Sequence, residues 1–150
     1  MERYRAWMAE ALGEAEAAAA VGEVPVGAVV VGPDGVIIGR GRNARASAHD
    51  PTAHAEIVAI REAATVLSHW RLDGCTLVVT LEPCTMCAGA ALQARLSRIV
   101  FGAWDEKAGA VGGRIDVVRE AGLPHDVEVV AGIAADASSD MLRAFFEGRR

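Results

Sequence analysis

His54-Ala55-Glu56 and Pro83-Cys84-Thr85-Met86-Cys87 decide how this chain of 150 residues is read. Together they offer three zinc-type ligands, His54, Cys84 and Cys87, and one carboxylate, Glu56, that the ligand count does not need. A structural zinc site closes its tetrahedron with four protein ligands, whereas a hydrolytic site keeps one position for water. The pattern therefore points to a metal that activates water beside an acid/base group. Cys84 and Cys87 are three apart at an expected helix start, so they share one face. The positive end of that helix lowers thiol pKa and favours the metal-binding thiolate. His54 and Glu56 are two apart and would diverge on a helix flank. A site shared by both must lie off the helix end, where the first turn opens. A structural zinc site completed by Cys75, His49 or His69 is the alternative, and it leaves Glu56 without a role. Cys75 reads as a buried small hydrophobe. His69 and His125 read as surface or structural histidines, and His49 as a surface or a substrate-side residue.

Outward from these segments, periodicity supplies the framework. Tyr4, Trp7, Met8, Ala11, Leu12 and Ala15 recur at helical spacing, which predicts an amphipathic helix over the first ~20 residues with Gly22 as its stop. Val24 to Val31 and Val36 to Gly41 are β-type runs around the turn Gly32-Pro33-Asp34-Gly35, which predicts a hairpin. Arg42 to Asp50 reads as a loop. Asp50-Pro51-Thr52 offers a cap and an early proline for a helix over ~53–68. Thr76 to Leu81 reads as a buried strand, and Pro83 opens a helix to about Ala94. Arg98 to Gly102 and Val127 to Gly132 read as two more strands, and Ala134 to Phe146 as a last helix. A hairpin followed by helix–strand alternation predicts an α/β fold in three layers: a central mixed five-stranded sheet with helices on both faces. No linker or repeat divides the chain, so one domain over 1–150 is expected.

Composition narrows the class. Hydrophobic content of 52% and a net charge of −5 describe a globular protein and give no global support for nucleic-acid binding. Any RNA contact must come from a local patch, for which Arg40, Arg42, Arg45 and Lys107 are candidates. No apolar run approaches the ~20 residues of a membrane span, and the N-terminal residues lack a signal-peptide layout. Three cysteines, two of them in a CxxC, suggest a reducing compartment and a metal rather than disulfides, so a cytoplasmic location is expected.

The His-x-Glu and Pro-Cys-x-x-Cys segments form the signature of zinc-dependent nucleobase deaminases. Beyond it, four stretches resemble the bacterial tRNA-specific adenosine deaminase family: Glu23-Val24-Pro25-Val26-Gly27-Ala28-Val29-Val30, His49 to Glu56, Thr80 to Ala90 and Phe101 to Ala110. The resemblance covers nearly the whole chain and implies a cytidine-deaminase-like fold. It implies deamination of the wobble adenosine of a tRNA anticodon to inosine, in a homodimer with one zinc per subunit. It matches the ligands to His54, Cys84 and Cys87, and the catalytic glutamate to Glu56. It matches the base-binding asparagine to Asn43 and the sugar-phosphate contact to Asp105. An amide such as Asn43 can donate and accept at once, which suits a purine edge. An aspartate such as Asp105 can accept from a ribose 2′-hydroxyl.

The chain departs from the family in places. A usual Phe-Phe-Arg-x-Arg-Arg reads Phe145-Phe146-Glu147-Gly148-Arg149-Arg150, a Gly-Ser reads Gly112-Gly113, and an Asn-His-Arg reads Leu123-Pro124-His125-Asp126. Each change removes a hydrogen-bonding or positive group, which lowers RNA affinity and its salt dependence. The glycines of 109–113 do not form a phosphate-cradling loop, because no Gly-Lys-Ser/Thr follows. Two other functions therefore stand beside the tRNA enzyme. One is a deaminase of a free base or nucleoside such as guanine, cytosine or a modified purine. The other is a non-catalytic zinc-stabilised RNA-binding module.

Overall fold

The computed structural model describes residues 1–123 and 125–149, so Pro124 and Arg150 lie outside the described residues. The element order is α1 (Glu2–Ala20), β1 (Gly27–Val31), β2 (Ile37–Arg42), α2 (Ala55–Leu67), β3 (Thr76–Leu81), α3 (Thr85–Gln93), β4 (Arg98–Ala103), α4 (Val117–Glu120), β5 (Glu128–Val130) and α5 (Ala135–Glu147). The strands form one sheet in the order β2-β1-β3-β4-β5. β1 runs antiparallel to β2 and β3, while β3–β4 and β4–β5 are parallel. The expected α/β architecture, a mixed five-stranded sheet with helices on both faces, is what the chain adopts.

Alternation along the central strands sorts the two cores. Ala28, Val30, Leu77, Val79, Ile99 and Phe101 pack with Ala55, Ala59 and Ala63 of α2 and Ala88 and Ala91 of α3. Val29, Val31, Val78 and Val100 pack with Tyr4, Met8 and Ala11 of α1 and with Ile133 on the opposite face. α2 and α3 make these contacts through alanines, so they lie close to the sheet. Gly39 and Gly41 of β2 carry this furthest, because a Cβ at either would run into the backbone of α2 at Ala59 or Ala55.

The structure corrects several boundaries. Pairing starts at Gly27 instead of Val24, because the Val26 N–H donates back to the Val24 carbonyl at 2.8 Å and Pro25 has no N–H. α2 starts two residues later than expected. Asp50 does not cap it: its Oδ1 accepts from the N–H and hydroxyl of Thr52, closing a separate turn ahead of the helix. α4 went unpredicted because four residues are too few for periodicity, although Asp116 caps it through the Arg119 N–H. Among the described residues no helix is long and apolar enough to cross a membrane.

Candidate active site

Two helix starts meet beyond the C-terminal end of the central strand β3. His54 is the N-cap of α2 with extended backbone, φ −71° and ψ 152°. Cys84 is the N-cap of α3, also extended, φ −75° and ψ 179°. The extended cap conformation points both side chains off their helix ends. This meets the geometric demand that His54 and Glu56 place on a shared site. His54 Nδ1 lies 3.6 Å from the sulfur of Cys84 and 3.6 Å from that of Cys87. All three donor atoms lie within 4.8 Å of one another.

That triangle fits a tetrahedral ion. Zn–N of ~2.0 Å and Zn–S of ~2.3 Å at tetrahedral angles put the nitrogen about 3.5 Å from each sulfur. The donor set of one imidazole and two sulfurs is a zinc set. Among the described residues no fourth His, Cys, Asp or Glu joins it, so the four-ligand structural alternative has no fourth ligand. Cys75 is buried apart from the group, with its sulfur facing the Asp73 carbonyl at 3.7 Å. His49 is exposed. His69 is exposed too, its Nδ1 accepting from the Arg71 N–H at 2.9 Å.

Electrostatics at the helix starts are strongly perturbed. The hydrogen bond from Cys87 holds the Cys84 thiol down to about 5, helped by N–H groups of the first turn of α3. The same bond, with burial, drives Cys87 upward. A bound cation would replace the proton the two sulfurs share. Glu56 is 4% exposed. Burial pushes its carboxyl up to about 7, in the range useful for proton transfer.

The remaining expected residues surround the same cleft, which is lined by Asn43, Arg45, His54, Glu56, Cys84 and Asp105. Asn43 is buried just past β2, and its Oδ1 accepts from the Arg45 N–H at 3.3 Å. Its amide NH2 group is left for the cleft. Asp105 uses one oxygen, Oδ1, to accept from the N–H groups of Lys107 and Ala108. The expected basic rim is thinner than the sequence suggests. Arg40 pairs with Glu10 at 2.8 Å, and Arg42 lies 3.7 Å from Glu14, because β2 passes beside α1. Two further buried carboxylates were not singled out from sequence, Glu23 and Glu82. Glu23 accepts from the N–H groups of Ala46 and Ser47, tying the loop after Asn43 to the end of α1. A charged residue inside otherwise apolar flanks was the available signal for both.

Residues 1–103 match the cytidine and deoxycytidylate deaminase zinc-binding region. A tRNA-specific adenosine deaminase of Haemophilus influenzae is 49% identical over 143 residues, 95% of this chain and 83% of that relative. Among solved structures, one from studies of A-to-I editing by tRNA:A34 deaminases at the wobble position matches with a TM-score of 0.83 and 45% identity, over 91% of this chain and 98% of that one. A guanine deaminase of Nitrosomonas europaea matches with a TM-score of 0.81 and 29% identity, over 94% of this chain and 83% of that one.

Proposed function

Because the chain belongs to the cytidine and deoxycytidylate deaminase zinc-binding family, we propose that it is a zinc-dependent hydrolase converting adenosine to inosine at the wobble position of a tRNA anticodon. The carrying observation is that one cleft gathers two metal donors, a buried carboxylate, an amide and an aspartate. The third donor, Cys87, lies directly behind it. Identity favours tRNA over free guanine as substrate, at 45% against 29% for solved structures of comparable fold similarity.

His54, Cys84 and Cys87 would hold the zinc, which when bound would supply the Lewis acidity that makes water acidic near neutral pH. Glu56 would take one proton from the attacking water and give it to the purine ring nitrogen as the oxygen bonds to C6. It would then carry a second proton from the added hydroxyl to the amine, which leaves as ammonia while the C6 oxygen becomes the carbonyl of inosine. Asn43 offers its NH2 to the purine edge, and Asp105 keeps one oxygen for the ribose hydroxyl. An anticodon loop is single-stranded, so extruding its base costs a few kcal/mol at most. Arg45 and Lys107 lie on the flanking loops and suit phosphate.

The same reading takes residues 1–150 as one catalytic domain, working in the cytoplasm as a homodimer with one zinc per subunit. The three thiols are unpaired, as a reducing compartment requires. Met86, Gly89 and Ala90 form a half-buried apolar side of α3 that a second copy would cover. The test incubates the protein with an anticodon stem-loop carrying a wobble adenosine and, separately, with a panel of free bases and nucleosides. Inosine in the RNA supports the reading. Ammonia released only from a free base contradicts it.

A further inference from the structure

Glu82 is 3% exposed, two residues ahead of Cys84, and outside the ligand set. Among the described residues no cation pairs with it. Its carboxylate instead accepts three backbone N–H groups from one loop: Asp105 at 2.9 Å, Val111 at 2.9 Å and Gly113 at 2.7 Å. Three such donors stabilise a buried carboxylate that would otherwise be costly. The loop also joins the segment before α3 through its backbone, with the Ala110 N–H donating to the Pro83 carbonyl at 2.8 Å. A Cβ at Gly109 or Gly113 would collide with the Glu82 carboxylate. The glycines of 109–113 therefore build a cradle, and its occupant is a carboxylate of the same chain.

We infer that Glu82 is a positioning residue that fixes Asp105 relative to the metal ligands. One buried side chain ties the segment leading into Cys84 to the loop whose first member, Asp105, faces the cleft. With both ends of residues 105–113 pinned, the free Asp105 oxygen is presented in one place. Glu82 borders the cleft, and both of its carboxylate oxygens are engaged by N–H groups of the loop. The inference rests on the proposed role of Asp105 for its kinetic consequence, and on the hydrogen bonds alone for its structural one.

Hydrogen exchange with bound-zinc measurement tests the structural part on metal-loaded protein. In Glu82→Gln the side-chain NH2 meets N–H groups it cannot accept from. We expect the amides of Asp105, Val111 and Gly113 to exchange about tenfold faster or more, the cost of one weakened hydrogen bond, with zinc retained and the sheet unchanged. Kinetics on the RNA stem-loop test the rest. kcat/KM should fall about 10–100-fold, mainly through KM, and Glu82→Gln should add nothing to Asp105→Ala. Unchanged loop exchange, or an equal kinetic loss with and without Asp105, overturns the inference. Gly113→Ala disturbs the cradle from the other side and carries the same readouts if Glu82→Gln does not fold. If the native chain makes no inosine in RNA, the substrate reading fails, while the exchange result still decides the role of Glu82.

Discussion

His54 and Cys84 each occupy the N-cap of a helix, and their Nδ1 and Sγ atoms lie 3.6 Å apart. The relationship would place a metal where two positive helix ends converge. That field favours the thiolate form of Cys84, while burial holds the carboxyl of Glu56, in the first turn of α2, up to about 7. It also means that metal, helix packing and catalysis share one small region of the fold.

Removing a ligand should cost metal and stability together. His54→Ala, Cys84→Ala and Cys87→Ala should lose bound zinc by elemental analysis, whereas Cys75→Ser should retain it. Free zinc a thousandfold above its Kd contributes about 4.1 kcal/mol. Loss of that term lowers Tm by roughly 8–16 °C for a chain of this size. Zinc lost from Cys75→Ser but kept in Cys84→Ala would mean the ligand set is wrong.

Asn43 and Asp105, proposed to face substrate, should act on binding. Asn43→Ala and Asp105→Ala remove hydrogen bonds worth about 1–3 kcal/mol in a desolvated cleft, so kcat/KM for the stem-loop should fall roughly 5–150-fold. Asp105→Ala should weaken the RNA substrate more than its deoxy counterpart, since only the former has a 2′-hydroxyl to lose. Equal losses on both would place Asp105 away from the ribose.

Glu23 gives a pH-dependent contribution to stability. The Ser47 N–H, followed by the Ser47 hydroxyl, holds its carboxyl below the usual 4.5. A depressed folded-state pKa contributes stability that is fully present above the unfolded value and is lost as pH falls through the folded one. Glu23→Gln should therefore be less stable than the parent at pH 7, and the difference should shrink below pH 4.5. A Tm difference constant from pH 7 down to strongly acid conditions would contradict this.

Two glycines should respond in opposite directions to the same methyl group. At Gly41 it enters the backbone of α2 at Ala55, next to His54, and should cost about 1–3 kcal/mol. At Gly13 of α1 it meets nothing and should stabilise by roughly 0.5–1 kcal/mol. Denaturant melts of the two alanine variants distinguish these signs.

The sequence made the layers and the metal triad legible because each rests on local signals. A continuous β-type run marks β3 at Thr76–Leu81, the bounds the strand has, and CxxC at a helix start carries its own geometry. Long-range hydrogen bonding was not legible. Asp50 looked like the cap of α2, yet it closes its own turn and His54 takes the cap. Glu82 was one charged residue in a strand–proline context, and nothing local showed that its partners lie 23 to 31 positions onward. The glycines of 109–113 lack the Gly-Lys-Ser/Thr continuation of a phosphate loop, and the carboxylate they surround, Glu82, appears only once the chain is folded. Arg40 and Arg42 looked available for RNA because their partners, Glu10 and Glu14, sit on a distant helix.

The most direct measurement compares the native chain with Glu56→Ala on the wobble-adenosine stem-loop, with zinc content determined on both samples. The expected result is one zinc per chain in each and a rate lower by about a thousandfold in the variant, within the 10²–10⁴ range of lost acid/base catalysis. Undiminished turnover by Glu56→Ala with its metal in place would contradict the account.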